Sequence, residues 1–168
     1  MEFPRLIGIC GHPGSGKSEV QRILQSAFGY EPADDGWPLR DIAIRHFGLS
    51  LDDVTTQAGK CRWTSVTGSR MQHRDILGRL GNALEHAFGH QIMPWLACQS
   101  LDPGRRYSFG SVRRDQGKVY KALGGAVIGV RRLGVGPSEF EFDRFSEEIV
   151  DVWIENDGGL NHLSQKTT

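Results

Sequence analysis

A glycine-rich segment of eight residues constrains this chain more than any other feature of its sequence. Residues 11–18 read Gly-His-Pro-Gly-Ser-Gly-Lys-Ser and fit the pattern G-x-x-x-x-G-K-[ST]. The apolar run at residues 6–10 predicts a buried strand before the segment, and residues 19–28 carry apolar side chains at helical spacing after it. A strand, a glycine-rich loop and a helix in this order aim backbone N–H groups at one anion. Residues 11–18 are therefore interpreted as a phosphate-binding loop, called the P-loop below.

The motif also predicts roles for individual residues. Its glycines let the backbone approach phosphate groups without a Cβ in the way. We expect Lys17 to reach the β- and γ-phosphates of ATP as a catalytic residue, and Ser18 to offer its hydroxyl to Mg²⁺. The predicted binding site for ATP comprises Gly11, Pro13, Gly14, Ser15, Gly16, Lys17, Ser18 and Glu19.

Length and charge narrow the class of protein. A chain of 168 residues, 38% apolar and 24% charged, suits one globular domain with a proper core. Lys and Arg together number 20, as do Asp and Glu, so the formal net charge is zero. Proteins that hold long nucleic acid usually carry a basic surplus, so no stable nucleic-acid partner is expected.

Cysteine usage and hydropathy predict the compartment. Cys10, Cys61 and Cys98 are far apart and have no metal-ligand spacing, which indicates free thiols in a reducing compartment. The N-terminus has no signal-peptide pattern, and no apolar run approaches the 18 residues of a membrane span. The sequence therefore predicts a cytoplasmic protein with no membrane partner.

The pattern along the chain predicts alternating strands and helices, with glycines at several helix ends. Strands are predicted at 6–10, 107–112, 126–131 and 150–155, and residues 29–33 are interpreted as a helix stop followed by a short extended piece, the second strand. Helices are predicted at 19–28, 38–47, 74–88, 90–99 and 114–123, with shorter ones at 146–148 and 160–163. Residues 49–69 are polar and interrupted, and predict a long excursion. The alternation favours an α/β fold with a mostly parallel sheet and helices on both faces.

In such a sheet, ligands lie beyond the carboxyl ends of the strands. This rule singles out the residues that follow four of the predicted strands: 11–18, 34–40, 113–116 and 131–132.

The order of these landmarks resembles the phage-type deoxynucleoside monophosphate kinases, a branch of the P-loop NMP kinase superfamily. Besides the P-loop, the matching segments are Ala33-Asp34 with Pro38-Leu39-Arg40, the helix 74–81, residues 112–116 with Gly124-Gly125, Ser146-Glu147, and Ile154-Glu155-Asn156-Asp157-Gly158. Only the P-loop is a specific match by itself. The other segments support the resemblance through their order and spacing over nearly the whole chain.

The resemblance implies both a fold and an activity. The fold would be a three-layer P-loop NTPase domain over 1–168, with a helical NMP-binding and lid insertion at about 38–100. The activity would be ATP- and Mg²⁺-dependent phosphorylation of deoxynucleoside monophosphates to diphosphates, which is deoxynucleotide biosynthesis, in the host cytoplasm if the chain is phage-encoded. Members of this family are often dimers, so the resemblance also allows a homodimer.

The sequence departs from the family pattern at three points. Gly36 and Trp37 interrupt the Ala-Asp-Pro-Leu-Lys match, and Arg40 stands where Lys is usual. Ser111 stands where the strand would carry an acidic partner for Mg²⁺. Either an aspartate (Asp34, Asp35 or Asp115) acts through water instead, or Ser18 and ATP hold the ion.

Arginines are the expected partners of the phosphates, because guanidinium groups grip them in a bidentate manner. Arg113 follows a strand and matches the family's arginine, so it is the first catalytic candidate. Arg131 and Arg132 follow the next strand. We expect Arg131 in catalysis and Arg132 at ATP, with a solvated surface role as the alternative for either.

Acceptor binding is predicted for Asp34, Asp35, Trp37, Arg40, Arg70 and Arg74. Each has an ordinary alternative. The aspartates could form an Asx turn before Gly36, Trp37 could pack beside Pro38, and Arg74 could be an exposed helix residue.

Two other functions remain open at this level. One is a P-loop kinase that acts on a modified nucleotide or a polynucleotide end. The other is a nucleotide-binding regulatory module without catalysis, for which Ser111 is the main support.

Overall fold

The computed structural model describes residues 3–137 and 144–167, apart from the side chains of Leu160 and Asn161. These residues form two compact units. The first comprises the chain up to Asp34 and from Cys98 onwards, and the second is Asp35–Ala97. Within the described ranges, no helix is both long and apolar enough to cross a bilayer. The predicted domain organisation, one domain with an insertion at about 38–100, stays a prediction.

The elements follow one another along the chain in this order: β1 (Leu6–Cys10), α1 (Lys17–Phe28), β2 (Glu31–Ala33), α2 (Trp37–Phe47), α3 (Leu51–Thr55), α4 (Gln57–Lys60), β3 (Trp63–Val66), β4 (Ser69–Gln72), α5 (His73–Phe88), α6 (Ile92–Gln99), β5 (Tyr107–Phe109), α7 (Gly117–Ala122), β6 (Ala126–Arg131), β7 (Val152–Glu155) and α8 (Leu160–Thr167). A 3₁₀ turn spans Glu147–Ile149.

In the described part of the first unit, five strands form one sheet in the order β2-β5-β1-β6-β7. All four neighbouring pairs are parallel. Strand β1 is central, and Gly8 is in register with Phe109 on one side and Val127 on the other. All five residues of β1 are buried, as expected for a strand covered on both faces.

The two faces of β1 carry different helices. Ile7 and Ile9 belong to a buried cluster with Val20 and Leu24 of α1 and Leu163 of α8. The opposite face meets α7: a Cβ at Gly8 would lie 2.8 Å from the Tyr120 ring, and that ring stacks on Phe109 at 4.5 Å. Helices therefore cover both faces of a parallel sheet, and the predicted α/β fold is confirmed.

Three of the element boundaries that differ from the sequence prediction have a local cause. Strand β5 ends at Phe109 rather than residue 112, because its pairing with β2 stops there. Helix α7 begins at Gly117 rather than 114, because Arg114 has a left-handed φ of 47°. Strand β7 begins at Val152, because the Asp151 carboxylate accepts the Val127 N–H that a ladder residue would otherwise take.

Residues 49–69, predicted as a long excursion, lie in the second unit and contribute no strand to the five-stranded sheet. These residues form α3, α4 and most of the β3–β4 hairpin. Ser50 and Asp53 form a capping box that starts α3, and Thr56 caps α4 through Gly59 N–H. The second unit has a core of its own, made of Ala43, Leu49, Val54, Met71 and Ile76. The sequence of residues 49–69 has no long apolar run, so local capping and this small core stabilise its helices and strands instead.

Several donors converge on the carboxylate of Asp53 in the second unit. It accepts hydrogen bonds from Ser50 N–H and Oγ and from Arg62, and it lies 3.4 Å from the Nδ1 of buried His73. These donors, with the Ser50 backbone first, lower the pKa of the Asp53 carboxyl from 3.8 to about 2. The ionised form therefore stabilises the second unit.

The close approach of α3 and α4 depends on Gly59. A Cβ at this buried position would lie 2.1 Å from the Asp52 carbonyl oxygen, which cannot rotate away. We expect Gly59→Ala to cost about 1–3 kcal/mol of the free energy of unfolding, as an overpacked site does. Gly78→Ala in α5 is the control, since a Cβ there meets nothing within 4 Å. It should leave stability unchanged or raise it by up to about 1 kcal/mol. Chemical denaturation measures both, and equal midpoints for the two variants would contradict the packing argument.

The lowered pKa of Asp53 predicts a pH dependence. Its contribution to stability is complete above the ordinary value of 3.8 and is lost as pH falls toward about 2. Between pH 5 and pH 2.5, the wild type should therefore lose more stability than Asp53→Asn, which cannot titrate. Urea midpoints at several pH values test this. Asp41→Asn, which removes an exposed pair with Arg45 on α2, should behave as the wild type; an acid response in Asp53→Asn that matches the wild type would refute the assignment.

Candidate active site

The P-loop leaves β1 at Cys10 and enters α1 at Lys17. Gly16 is the N-cap residue of α1, with φ of 107°, and as a glycine it has no side chain to cap the helix. The first backbone N–H groups of a helix have no partner within it. The positive end of the helix dipole adds to their attraction for an anion. The start of α1 thus has the form of an anion site, as predicted.

The Lys17 side chain folds over the loop. Its Nζ donates to the carbonyl oxygens of Gly11 at 2.7 Å and His12 at 3.0 Å. These contacts hold the ammonium group beside the backbone that a phosphate would meet. The role of Lys17 toward the phosphates of ATP stays a prediction.

Ser15 gives a direct test of whether the loop fits a phosphate. Its N–H donates to the His12 carbonyl at 3.0 Å, which closes the loop on itself. Its Oγ is completely buried and has no hydrogen-bond partner among the described residues. A buried hydroxyl without a partner costs about 1–3 kcal/mol. An anion that accepts this hydroxyl would remove that cost, so the loop fits a phosphate group.

The pocket beside the loop brings two predicted catalytic residues together. It is a small pocket that is open to solvent, and it is lined by Gly11, Pro13, Lys17, Ser111, Val112 and Arg113. The backbone of Arg113 is fixed by Gln116, which donates its N–H to the Arg113 carbonyl at 3.0 Å and accepts the Arg113 N–H at 3.2 Å. Two cationic side chains from the ends of β1 and β5 therefore line one pocket.

Arg131 and Arg132 follow β6 and point to different partners. The Arg131 guanidinium carbon lies 3.6 Å from the centroid of the Trp153 ring, and its Nη2 donates to Glu147 at 2.9 Å. Arg132 Nη1 lies 3.5 Å from the Gly14 carbonyl oxygen, at the limit of a hydrogen bond. Arg132 is thus beside the P-loop, whereas Arg131 is engaged with Glu147 and Trp153. The catalytic role of Arg131 stays a prediction.

Two side chains near the loop have well-defined protonation. Arg22 donates to the Glu19 carboxylate and holds the pKa of that carboxyl below its ordinary range. Glu19 is therefore ionised and paired along α1. Burial raises the pKa of the Cys10 thiol to about 12. Cys10 is a protonated core residue beneath the loop, as its position in the apolar strand predicts.

Residues suited to Mg²⁺ are few. Among the described residues, no three His, Cys, Asp or Glu side chains form a cluster that could hold a metal ion. Ser18 is exposed at the start of α1, and Asp115 lies 3.4 Å from the Lys118 ammonium. The residues present therefore fit a Mg²⁺ ion that takes Ser18 from the protein and its other ligands from phosphates and water.

The predicted acceptor residues lie at the end of β2 and in the second unit. Asp34 follows β2 and is exposed. Asp35 precedes α2, and Arg40 lies within it. Trp37 begins α2 with 42% of its surface exposed, which does not support the packing alternative.

Two arginines of the second unit have defined neighbours. The Arg70 guanidinium lies 5.2 Å from the centroid of the Trp63 ring, and Arg74 donates to the Cys61 thiol. The acceptor-binding roles of all six residues stay predictions.

Asn156 is a residue of the site that the sequence reasoning missed. It follows the last strand, β7, and its Nδ2 donates to the Ser15 carbonyl of the P-loop at 2.9 Å. The rule that ligands lie beyond strand ends was applied to four strands and not to the fifth. Applied to β7, it would have singled out this residue.

Comparison with known proteins adds information on the fold. No protein-family model matches the chain, and no curated protein does. Among solved structures, dephospho-CoA kinase from Campylobacter jejuni is similar, with a TM-score of 0.51 and 13% identity over 97% of this chain and 93% of that chain. TT1252 from Thermus thermophilus is 23% identical over 96% of this chain and 93% of that chain, with a TM-score of 0.48. The first likeness and the parallel sheet show that the chain has the α/β fold of a P-loop kinase.

Proposed function

We propose that this chain transfers the γ-phosphoryl group of ATP to the 5′-phosphate of a deoxynucleoside monophosphate. The observation that carries the phosphoryl-transfer part is the pocket in which Lys17 and Arg113 meet beside the uncapped start of α1. The acceptor class comes from the resemblance to phage-type deoxynucleoside monophosphate kinases over nearly the whole chain. The P-loop kinase fold is consistent with both.

Phosphoryl transfer requires the protein mainly to position the two substrates and to neutralise their negative charge. An oxygen of the acceptor phosphate forms a bond to the γ-phosphorus, the bond from that phosphorus to the bridging oxygen breaks, and ADP leaves. Negative charge spreads over the transferred group, and the acceptor is itself an anion, so the site must neutralise charge on both sides. No covalent nucleophile on the protein is needed.

The residues of the first unit supply this neutralisation. Lys17, the P-loop N–H groups and the Ser15 hydroxyl bind the phosphates of ATP, and Arg132 lies at the edge of the loop. Ser18 and the phosphates would hold a Mg²⁺ ion, which would supply further positive charge at the transferred group. Arg113 stabilises the transferred or the accepting phosphate from the other side of the pocket. Arg131 can join only by exchanging its contacts with Glu147 and Trp153.

We assign recognition of the acceptor to the six residues for which the sequence predicts acceptor binding. Asp34 and Asp35 would accept hydrogen bonds from the nucleoside, and Trp37 would stack on its base. Arg70 and Arg74 would bind its phosphate, and Arg40 would take the place of the family's lysine. The exposure of Trp37 and the arginine-rich composition of this set support the assignment.

One observation favours a second candidate, a nucleotide-binding module without catalysis. Ser111 lines the pocket at the end of β5, where an acidic partner for Mg²⁺ would be usual in the family. If Mg²⁺ cannot be held well by Ser18 alone, ATP would bind without turnover.

Measurement of ADP release separates these functions. The protein is mixed with ATP, Mg²⁺ and, in turn, each deoxynucleoside monophosphate, each ribonucleoside monophosphate, dephospho-CoA and a 5′-phosphorylated oligonucleotide. Turnover confined to deoxynucleotides is the expected result. Turnover with another acceptor would show that the proposed substrate is wrong but that the protein does transfer a phosphoryl group. ATP binding without turnover on any acceptor would favour the regulatory module.

Lys17 offers the first test by substitution. Lys17→Ala removes the ammonium group that meets the phosphates, so the rate of transfer should fall by at least about 10²–10³-fold. The melting temperature should change little, since the ammonium group donates to the loop carbonyls of Gly11 and His12 rather than to the strands of the sheet. Lys118→Ala, at an exposed lysine of α7, should keep wild-type activity. Retained transfer by Lys17→Ala would contradict the role.

Arg113 allows a matched comparison along one strand. Arg113 follows β5 and lines the pocket, whereas Arg105 precedes β5 and pairs with Glu31 and Asp102 at the opposite edge of the sheet. Arg113→Ala should lower kcat by about 10²-fold or more and weaken ATP binding only modestly, because its partner is the transferred or accepting phosphate. Arg105→Ala should leave kcat unchanged. A collapse of ATP affinity with unchanged acceptor kinetics in Arg113→Ala would show that Arg113 serves ATP instead.

A further inference from the structure

We propose that Asn156 is a positioning residue of the P-loop, which aims the Gly16 N–H at the bound phosphate by holding the Ser15 carbonyl. This inference rests on the proposed function in one respect, since it takes the loop to bind nucleotide phosphates. It assigns a role in phosphate binding to a residue 141 positions away from the loop in sequence.

The argument starts from the geometry of one peptide unit. The Ser15 carbonyl and the Gly16 N–H belong to the same peptide bond, and the described residues contain no cis peptide. In a planar trans peptide, the carbonyl and the N–H point in opposite directions. The Asn156 Nδ2 donates to the Ser15 oxygen at 2.9 Å and so fixes that end of the unit. The N–H at the other end is thereby turned away from Asn156.

Asn156 is itself held by the sheet. Its backbone N–H donates to the Arg131 carbonyl at 2.7 Å, which continues the parallel ladder of β6 and β7 beyond the Arg131–Glu155 register pair. The side chain therefore projects from a fixed point of the scaffold rather than from a free loop. A donor on a rigid strand end can preorganise a loop that has little support of its own.

Gly16 is shaped to receive this contact. A Cβ at Gly16 would lie 2.5 Å from Asn156 Nδ2, closer than the two atoms could pack. The residue also has φ of 107°, in the region that favours glycine. The P-loop thus requires glycine at this position both for its backbone conformation and to admit the asparagine. This mutual fit is a second observation in favour of the assigned role.

Loss of the contact has a specific consequence. Without the Asn156 donor, the 15–16 peptide can rotate, and a rotated peptide would present its carbonyl oxygen to the phosphate in place of the N–H. The phosphate would lose one donor and meet a repulsive oxygen. Affinity for the phosphate chain should therefore fall, while the fold and the acceptor site keep their properties.

Two substitutions test this. Asn156→Ala removes the donor, and Asn156→Asp keeps the shape but offers only acceptors, which repel the Ser15 carbonyl. Asp157→Asn is the control, since Asp157 is the next residue but pairs with Lys166 and His162 instead of the loop. The readouts are the affinities for Mg²⁺–ATP and for Mg²⁺–tripolyphosphate, which has no nucleoside, together with the KM for the acceptor and the melting temperature.

The expected result is a fall of about 10–100-fold in both affinities for the two Asn156 variants, the size typical of residues that support a binding group from behind. Acceptor KM should be unchanged, and Asp157→Asn should match the wild type. Wild-type affinity in both Asn156 variants would overturn the inference and leave the proposed function intact. The inference would also be overturned if affinity and melting temperature fell together, and fell in Asp157→Asn as much as in the two Asn156 variants. If the wild type itself bound neither ATP nor tripolyphosphate, the proposed function would fail first.

Discussion

The whole site depends on one set of hydrogen-bond donors, the first backbone N–H groups of α1, which precede the carbonyls of their own helix. Gly16, the N-cap residue, has no side chain that could cap them. They lie at the end of β1, which is buried along its length and hydrogen-bonded to a parallel strand on each side. A donor set that is both exposed to a ligand and fixed by the centre of the sheet can bind an anion without reorganising.

The order of the strands explains why the other functional residues gather at this point. The chain leaves β1 for β2 through α1 on one face, and leaves β5 for β6 through α7 on the opposite face. Parallel sheets bind ligands where such a reversal lies between neighbouring strands. Arg113 follows β5, Arg132 follows β6 and Asn156 follows β7, so all three reach the P-loop edge although they are distant in sequence. The parallel sheet therefore brings residues that are distant in sequence close together at one edge.

How much of this could be predicted depends on the kind of interaction. The buried strands and the helix ends at Gly29, Gly48 and Gly89 follow from local patterns that sequence reasoning can use. The P-loop was predictable for the same reason. The elements within residues 49–69 were not predicted, because a capping box, a threonine cap and the core of the second unit form them without a long apolar run. The late start of α7 depends on the left-handed φ of Arg114, whose N–H donates to the Arg144 carbonyl, a contact between distant residues.

The arrangement of Arg131 shows how the same physics decides between two states of a residue. Its partner Glu147 has 63% of its side chain exposed, and Arg131 itself has 45% exposed, so solvent screens their attraction. An exposed ion pair contributes about 0–1 kcal/mol, and an exposed cation–π contact with Trp153 about 0.5–1 kcal/mol. Hydrogen bonds from arginine to a multiply charged phosphate are about twice as strong as neutral ones and are often bidentate. The contacts with Glu147 and Trp153 are therefore weak enough to be exchanged for a phosphate, as the proposed catalytic role of Arg131 requires.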